Sequence, residues 1–218
     1  MSGGSGAFAE MALANADTIA YKPNRLSYQA AGLPLAGVSA WQAIVENVGL
    51  QRDQKILIHG GAGGIGSIAI QLAKHLGAYV STTVSTNDKQ FAKEMGADEL
   101  IDYRTQRFEQ EGLMHDYDCV FDTVGGETYT RSFKVLKRGG VIISMLEQPN
   151  PELMEEFGVK AVFQFTQVNR ERLTNLAQEV DKNNVRVNVE KTFSLDEAGE
   201  ALDYQRDVHP RGKVVIAI

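Results

Sequence analysis

The stretch that decides the fold is residues 55–66, which read Lys55-Ile56-Leu57-Ile58-His59-Gly60-Gly61-Ala62-Gly63-Gly64-Ile65-Gly66. A short apolar run is followed at once by a glycine-rich turn and then by a helical pattern. From Gly61 onward the glycines have the spacing G-x-G-x-x-G. Between a strand and a helix, this spacing indicates a dinucleotide site, because backbone N–H groups and the positive end of a helix dipole meet there.

The glycines of this turn have separate expected roles. Gly61 allows the tight turn, Gly63 lets the backbone approach a pyrophosphate, and Gly66 lets the helix pack close to the strand. Gly64 and Ile65 complete the candidate cofactor contacts at the turn. A purely structural glycine turn is the alternative interpretation.

Short apolar runs alternate with helical stretches along most of the chain. The predicted strands are 55–59, 79–84, 99–102, 119–122, 141–144, 161–165 and 213–218. The predicted helices are 65–76, 88–95, 128–135, 170–183 and 196–204. Strands that are apolar almost throughout are typical of a parallel sheet covered on both faces. The predicted fold class is therefore α/β, a doubly wound parallel (Rossmann) sheet.

The part of the chain before the glycine turn is less regular. Residues 1–6 are small and polar and look like a linker. Residues 7–21 alternate weakly and predict one or two short strands, whereas residues 26–49 have apolar residues at spacings of three or four and predict two helices. We expect a turn at 33–37, around Pro34, between those helices.

Composition excludes several classes of protein. The chain has 218 residues, 22 Lys+Arg against 28 Asp+Glu and a formal net charge of −6. It therefore offers no electrostatic reason to bind nucleic acid or an anionic membrane, and we expect neither partner. A single cysteine, Cys119, cannot form an internal disulfide or a four-cysteine zinc site. These features predict a reducing compartment, the cytoplasm, and no resident metal.

Other nucleotide-binding classes can be compared with the same turn. A mononucleotide P-loop requires lysine after the last glycine, but Ser67 follows Gly66. Short-chain reductases pair a tyrosine with a lysine four residues later, and none of the seven tyrosines has that partner. A methyltransferase stays possible, although such enzymes usually have an acidic residue at the end of the second strand.

The end of the predicted second strand also bears on the choice of cofactor. An NAD site has Asp or Glu there for the ribose diol, and an NADP site has polar and cationic groups for the 2′-phosphate. This chain offers Ser85, Thr86 and Lys89, with no acid before Asp88. The pattern favours NADP(H), although Thr86 could instead cap the next helix.

Four sequence blocks carry a wider resemblance. They are AAGLPLAGVSAW (30–41), IHGGAGGIG (58–66), DCVFDTVGG (118–126) and RGKVV (211–215). In this order they resemble the medium-chain dehydrogenase/reductase superfamily, in its zinc-independent, quinone-oxidoreductase-like branch. The resemblance implies hydride transfer from NADPH to a quinone or an α,β-unsaturated carbonyl. A non-catalytic NADP(H)-binding module is the alternative function.

The resemblance also implies site residues. The 2′-phosphate is expected at Ser85, Lys89 and Tyr103. The nicotinamide half is expected over Ser39, Val124, Ser144, Met145, Phe163 and Phe165. No residue is identified as a catalytic acid. His59, beside the glycine turn, is expected to form local hydrogen bonds, and Cys119 is expected to be a core residue.

The domain organisation follows from the same resemblance. We expect the linker at 1–6, the end of a truncated N-terminal catalytic domain at 7–29, the dinucleotide-binding domain at 30–168 and a segment returning to the catalytic domain at 169–218. This arrangement leaves remnants of a β-rich barrel at both ends. Relatives of this kind pair sheet edges across a two-fold axis, so the resemblance implies a homodimer through the strand 162–165.

Overall fold

The computed structural model describes residues 6–110 and 117–218. The strands in this part of the chain are β1 (Lys55–His59), β2 (Tyr79–Val84), β3 (Glu99–Asp102), β4 (Tyr117–Asp122), β5 (Leu136–Ser144), β6 (Lys160–Phe163), β7 (Val189–Ser194) and β8 (Lys213–Ala217). The α-helices are α1 (Pro34–Trp41), α2 (Gly66–His75), α3 (Lys89–Glu94), α4 (Gly126–Ser132), α5 (Pro151–Phe157), α6 (Arg170–Asn183) and α7 (Ala198–Val208).

Six parallel strands form the main sheet, in the order β3-β2-β1-β4-β5-β6. The chain moves outward from β1 to β3 and then returns to place β4 on the other side of β1. This reversal creates a crevice at the carboxyl ends of β1 and β4, where ligands bind in open α/β sheets. Strands β7 and β8 form a separate two-stranded parallel sheet. The doubly wound α/β prediction is confirmed.

The first strand shows why the sheet is covered on both faces. Ile56 and Ile58 are fully buried in one apolar cluster, together with Ile70 of α2. Leu57 points the other way and is buried with Phe133, which follows α4. Because successive side chains of a strand alternate between faces, an apolar run of this kind requires helices on both sides.

The strand prediction for residues 7–21 is wrong. Residues 6–27 contain no strand, and the regular structure there is a 3-10 helix at Ala16–Thr18. Leu13 and Tyr21 are 92% and 98% exposed, so the weak apolar alternation has no core to face. A strand also needs a neighbour for its backbone hydrogen bonds, and the described residues provide none for this segment.

The predicted turn at 33–37 is also wrong. Helix α1 begins at Pro34 and continues directly into a π-helical segment, Gln42–Val48. Proline fits the first position of a helix because its φ is already helical and its missing N–H would have no partner there. The preceding 3-10 helix, Tyr28–Gly32, is the other helical element of this region.

Two further differences concern the second half of the chain. The predicted strand 161–165 is observed as Lys160–Phe163. Helix α5 was also missed, although its end signals are present in the sequence. Asn150 accepts hydrogen bonds from the first-turn amides at 3.0 and 3.2 Å, and Gly158 ends the helix with φ of 64°. These are standard capping devices.

Gly66 provides a test of the packing between α2 and β1. A Cβ at this position would overlap the backbone carbonyl of Gly60, which cannot move without displacing the turn. We predict that Gly66→Ala lowers the free energy of unfolding by about 1–3 kcal/mol, measured by urea denaturation. Gly199→Ala is the matched control, since Gly199 is also helical and has no atom near its missing Cβ. It should leave stability unchanged or raise it by about 0.4–1 kcal/mol. Equal effects would contradict the packing argument.

Candidate functional site

A cleft of about 760 Å³ lies over the carboxyl ends of β1, β2 and β4. Its walls come from the glycine turn, from the residues that follow β2, β3 and β4, and from the loop His209–Gly212 before β8. The sequence-predicted site residues that line it are Gly63, Gly64, Ser85, Tyr103 and Val124. The predicted cofactor residues thus meet partly in one cavity, at the point where the strand order reverses.

The glycines of the turn divide into internal and cleft-facing positions. A Cβ on Gly61 would overlap Thr82 Oγ1 of β2, and one on Gly66 would overlap the Gly60 carbonyl. These two glycines therefore serve packing and do not line the cleft. Packing is the role expected of Gly66, whereas Gly61 was expected to allow the tight turn. Gly63 lines the cleft, and only the Gly60 carbonyl oxygen, at 3.3 Å, lies near its missing Cβ. Backbone at Gly63 is thus open to close approach by a ligand.

The loop His209–Gly212 is fixed on top of the glycine turn. The Gly212 amide donates to the Ala62 carbonyl at 3.0 Å, and Gly63 and Gly212 form a β-bridge. A Cβ on Gly64 would lie 2.6 Å from the Lys213 side chain and 3.0 Å from the Gly212 carbonyl oxygen, so a larger residue here would have to displace this loop. The last sequence block, RGKVV, therefore belongs to the same site as the glycine motif.

The end of β2 holds a compact polar cluster. Ser85 Oγ donates to Asp88 Oδ2 at 2.5 Å, and Arg211 Nε donates to Asp88 Oδ1 at 2.6 Å. Arg211 also donates to the Asn87 carbonyl at 3.0 Å. Burial alone would raise the pKa of Asp88, but the hydrogen bonds from Ser85 and Arg211 lower it below the ordinary aspartate value. Arg211 was not among the predicted cofactor residues, although it lies in a block that the sequence analysis singled out.

Two of the predicted phosphate-binding residues contact a different carboxylate. Thr86 Oγ1 donates to Asp102 Oδ2 at 2.5 Å, and Lys89 Nζ lies 3.5 Å from the same oxygen. The hydrogen bond from Thr86 lowers the pKa of Asp102, which is buried at the end of β3. In the described part of the chain, Thr86 and Lys89 lie outside the cleft lining. Their role towards a cofactor stays a prediction.

Two predicted nicotinamide contacts are buried hydroxyls with internal partners. Ser39 Oγ donates to a carbonyl of its own helix at 2.7 Å and lies 2.7 Å from Thr166 Oγ1. Ser144 Oγ donates to Asp122 Oδ2 at 2.8 Å. Both hydroxyls stabilise the protein itself, and neither residue lines the cleft among the described residues.

The remaining predicted contacts have varied surroundings. Ile65 and Met145 pack partly buried against the main apolar cluster. Phe163 is partly exposed at the end of β6, and Phe165 is 74% exposed beyond it. Of the six residues predicted at the nicotinamide, Val124 alone lines the cleft in the part of the chain that the structure describes. The others stay predictions.

His59 anchors a buried hydrogen-bond chain below the cleft. Ser132 Oγ donates to the Thr128 carbonyl at 2.6 Å, so His59 Nε2, at 2.9 Å, donates to Ser132. His59 Nδ1 then accepts from Thr83 Oγ1 at 3.1 Å, and Thr83 Oγ1 in turn accepts from the Gly60 amide at 3.2 Å. Burial lowers the pKa of His59 to about 4. The histidine is therefore neutral and holds the first residue of the glycine turn against β2.

Within residues 6–110 and 117–218, no group of three or more His, Cys, Asp or Glu side chains is placed to hold a metal ion. Cys119 is buried in β4, where burial raises the pKa of its thiol. None of the helices in the described residues is both long enough and apolar enough to cross a membrane.

The buried histidine predicts a pH dependence of stability. In the unfolded chain a histidine has a pKa near 6.5, whereas in the folded protein that of His59 is about 4. The unfolded state therefore binds more protons below pH 6.5, and the contribution of His59 is complete above that pH and falls as pH drops towards 4. Between about pH 6.5 and pH 5 we expect a loss of about 2 kcal/mol.

The control for this prediction is His59→Gln, which keeps a polar side chain but does not titrate. Urea denaturation at several pH values should show a shallower loss of stability in the variant than in the wild type on acidification. Parallel pH profiles for the two proteins would contradict the assignment of a neutral, buried His59.

Comparison with known proteins agrees with this geometry. The 2-methylene-furan-3-one reductase of Solanum lycopersicum is 35% identical over 217 residues, which are 97% of this chain and 52% of that enzyme. The solved quinone oxidoreductase from Coxiella burnetii has a TM-score of 0.85 at 35% identity, over 94% of this chain and 65% of that one. The quinone oxidoreductase of Escherichia coli complexed with NADPH has a TM-score of 0.79 at 26% identity, over 91% and 68%.

The chain thus spans about half to two thirds of the length of the relatives that it matches. The resemblance to the medium-chain dehydrogenase/reductase superfamily is confirmed. Residues 95–216, more than half of the chain, match the zinc-binding dehydrogenase family, and the chain therefore belongs to this family.

Proposed function

We propose that this chain binds NADPH in the cleft over β1, β2 and β4. The observation that carries the proposal is the meeting of three features in that one cavity. These features are the glycine turn at the start of α2, the polar cluster of Ser85 and Arg211 at the end of β2, and the loop His209–Gly212 above both. A relative crystallised with NADPH and one named as an NADPH-dependent alkenal/one oxidoreductase support the choice of cofactor.

The shape and chemistry of the cleft fit a dinucleotide. Its volume of about 760 Å³ lies in the range of cofactor pockets, roughly 300–1,000 Å³. Gly64 and Ile65 lie immediately before α2, so a pyrophosphate at the start of the helix would find N–H donors at these two residues. Ser85, Tyr103 and Arg211 surround the end of β2 and would hold the 2′-phosphate.

For the whole protein we propose reduction of a quinone or an α,β-unsaturated carbonyl, as the names of the relatives suggest. The reduced nicotinamide supplies the hydride in such reactions. The residues of this chain would bind and orient the cofactor, with Val124 lining the cleft beyond β4. Ser39, Ser144, Met145, Phe163 and Phe165 stay candidates for the nicotinamide end, and no catalytic acid is assigned.

The metal content and the cellular compartment of the protein are also part of this proposal. We propose that the reaction proceeds without a resident zinc, because the cysteine of this chain is a buried core residue whose thiol resists ionisation. We also propose a reducing compartment such as the cytoplasm, although relatives are named as mitochondrial and chloroplastic proteins. Metal analysis of the purified protein tests the first feature, and cell fractionation tests the second.

The alternative is an NADP(H)-binding module without turnover. Loss of NADPH absorbance with a panel of quinones and enones distinguishes the two functions. Turnover of about 1 per second or faster would show that this chain alone is catalytic. Cofactor binding without turnover would support the module.

Binding of NADPH gives a direct prediction. NADPH at about 100 times its dissociation constant should raise the free energy of unfolding by about 2.7 kcal/mol, and NADH at the same concentration should raise it less.

Lys89→Ala should weaken NADPH binding by roughly 10-fold or more, because a charge-assisted contact to phosphate is lost, without a similar loss for NADH. Lys93→Ala is the control, since Lys93 is exposed one turn later on α3. Isothermal titration calorimetry measures all six protein–cofactor pairs, and a cofactor preference insensitive to Lys89 would reject its predicted role.

We further propose a homodimer through the predicted strand 162–165. Strand β6 lies at the edge of the sheet, and its end carries the exposed side chains of Phe163 and Phe165. Unpaired, apolar edges of this kind favour association with another strand. Sedimentation at tens of micromolar should give twice the mass of one chain, and Phe163→Lys should give a monomer. Leu202→Lys, at an apolar position on α7 that is even more exposed than Phe163, should stay dimeric. A monomeric wild-type protein would refute the interface.

A further inference from the structure

We propose that Asp88 is an internal competitor for the 2′-phosphate and thereby limits the preference of the cleft for NADPH over NADH. The inference rests on the proposed function, because it concerns the same cleft. Asp88 lies at the end of the 3-10 helix Thr86–Asp88 and lines the cavity. It lies three residues after Ser85, beyond the end of β2 where an NAD site has its acidic residue.

The carboxylate of Asp88 already accepts hydrogen bonds from two donors at the end of β2. Its two carboxylate oxygens accept one hydrogen bond each, from Ser85 Oγ at 2.5 Å and from Arg211 Nε at 2.6 Å. These are two of the donors that surround the expected 2′-phosphate. The side chain of Asp88 is 24% exposed, whereas that of Arg211 is 45% exposed. The contact with Ser85 is therefore partly buried, and the contact with Arg211 is open to water. A phosphate can use these donors only if the carboxylate releases them or shares them.

The charges around Asp88 determine the outcome of this competition. Arg211 and Arg104 attract its carboxylate and help to keep it ionised. Glu190 accepts a hydrogen bond from the Arg211 backbone amide, so a second acid lies on the far side of the same loop. A dianionic phosphate at this position gains the attraction of Arg211 but meets the repulsion of Asp88 at short distance.

The ribose of NADH has a hydroxyl in place of the 2′-phosphate, and Asp88 does not repel it. Its 2′-hydroxyl can donate to a carboxylate, as it does at the acidic residue of NAD sites. Asp88 would therefore favour NADH slightly while it opposes NADPH. Ser85 and Arg211 favour NADPH instead, since they can donate hydrogen bonds to its 2′-phosphate. The balance between Asp88 and these donors makes Asp88 a specificity-determining residue.

The test is the cofactor preference of Asp88→Asn, measured by calorimetry with NADPH and NADH on the full chain. We expect the dissociation constant for NADPH to fall about 10-fold, because a unit charge near the phosphate is removed. The dissociation constant for NADH should stay the same or rise. Asp53→Asn is the matched control, because Asp53 is exposed in the turn before β1, at the amino end of the strand and opposite the cleft. It makes the same change in net charge and should leave both constants unchanged.

A second variant tests whether the effect comes from losing the carboxylate or from the amide group that asparagine introduces. Asp88→Ala removes the carboxylate without adding an amide, and it should shift the NADPH/NADH ratio in the same direction. If wild-type protein binds neither cofactor, the proposed function fails. If wild-type protein binds NADPH but both Asp88 variants keep the wild-type ratio, the proposed function stands and the competition by Asp88 is refuted.

Discussion

The contact on which the site depends is the approach of α2 to the carboxyl end of β1. Gly66 begins the helix against the backbone of Gly60 and Gly61, where no side chain would fit. This contact directs the first turn of the helix at the crevice between β1 and β4. The anion-binding end of the helix and the reversal of the strand order thus lie at the same place because of one backbone contact.

Two further parts of the chain are fixed relative to that contact. The hydrogen-bond chain through His59 holds Gly60 to β2 from below. The loop His209–Gly212 rests on Ala62 and Gly63 from above and carries Arg211 to the end of β2. Residues about 150 positions apart in the sequence therefore form one cleft.

The sequence predicted the sheet and the glycine turn because both depend on local patterns. Apolar runs such as 56–58 indicate strands buried on two faces, and the glycine spacing indicates a backbone approach. It failed at residues 7–21, where a local alternation has no neighbouring strand, and at Pro34, which starts a helix that was predicted to be broken there. Whether a strand pairs or a proline starts a helix depends on contacts distant in the chain.

The candidate site could be predicted only in part for a related reason. The donors Ser85 and Lys89 were visible at the end of the second strand, but their acceptors were not. The structure shows that Asp88 and Asp102 already hold these donors, and that Arg211 joins them from the other end of the chain. Pairings between distant charges leave no periodic signal, so hydrogen-bond competition of this kind becomes apparent only in three dimensions.

The central claim is that NADPH binds in the cleft over β1, β2 and β4. A ¹H–¹⁵N correlation spectrum of the isotope-labelled chain, titrated with NADPH, tests it most directly because it reports where the ligand lies. The account predicts saturable shifts at the amides of Gly60–Gly66, of Ser85 and Asp88, and of Arg211 and Gly212. Shifts confined to the separate cavity of about 420 Å³ between Arg25 and Asn188, or no shifts at all, would contradict it.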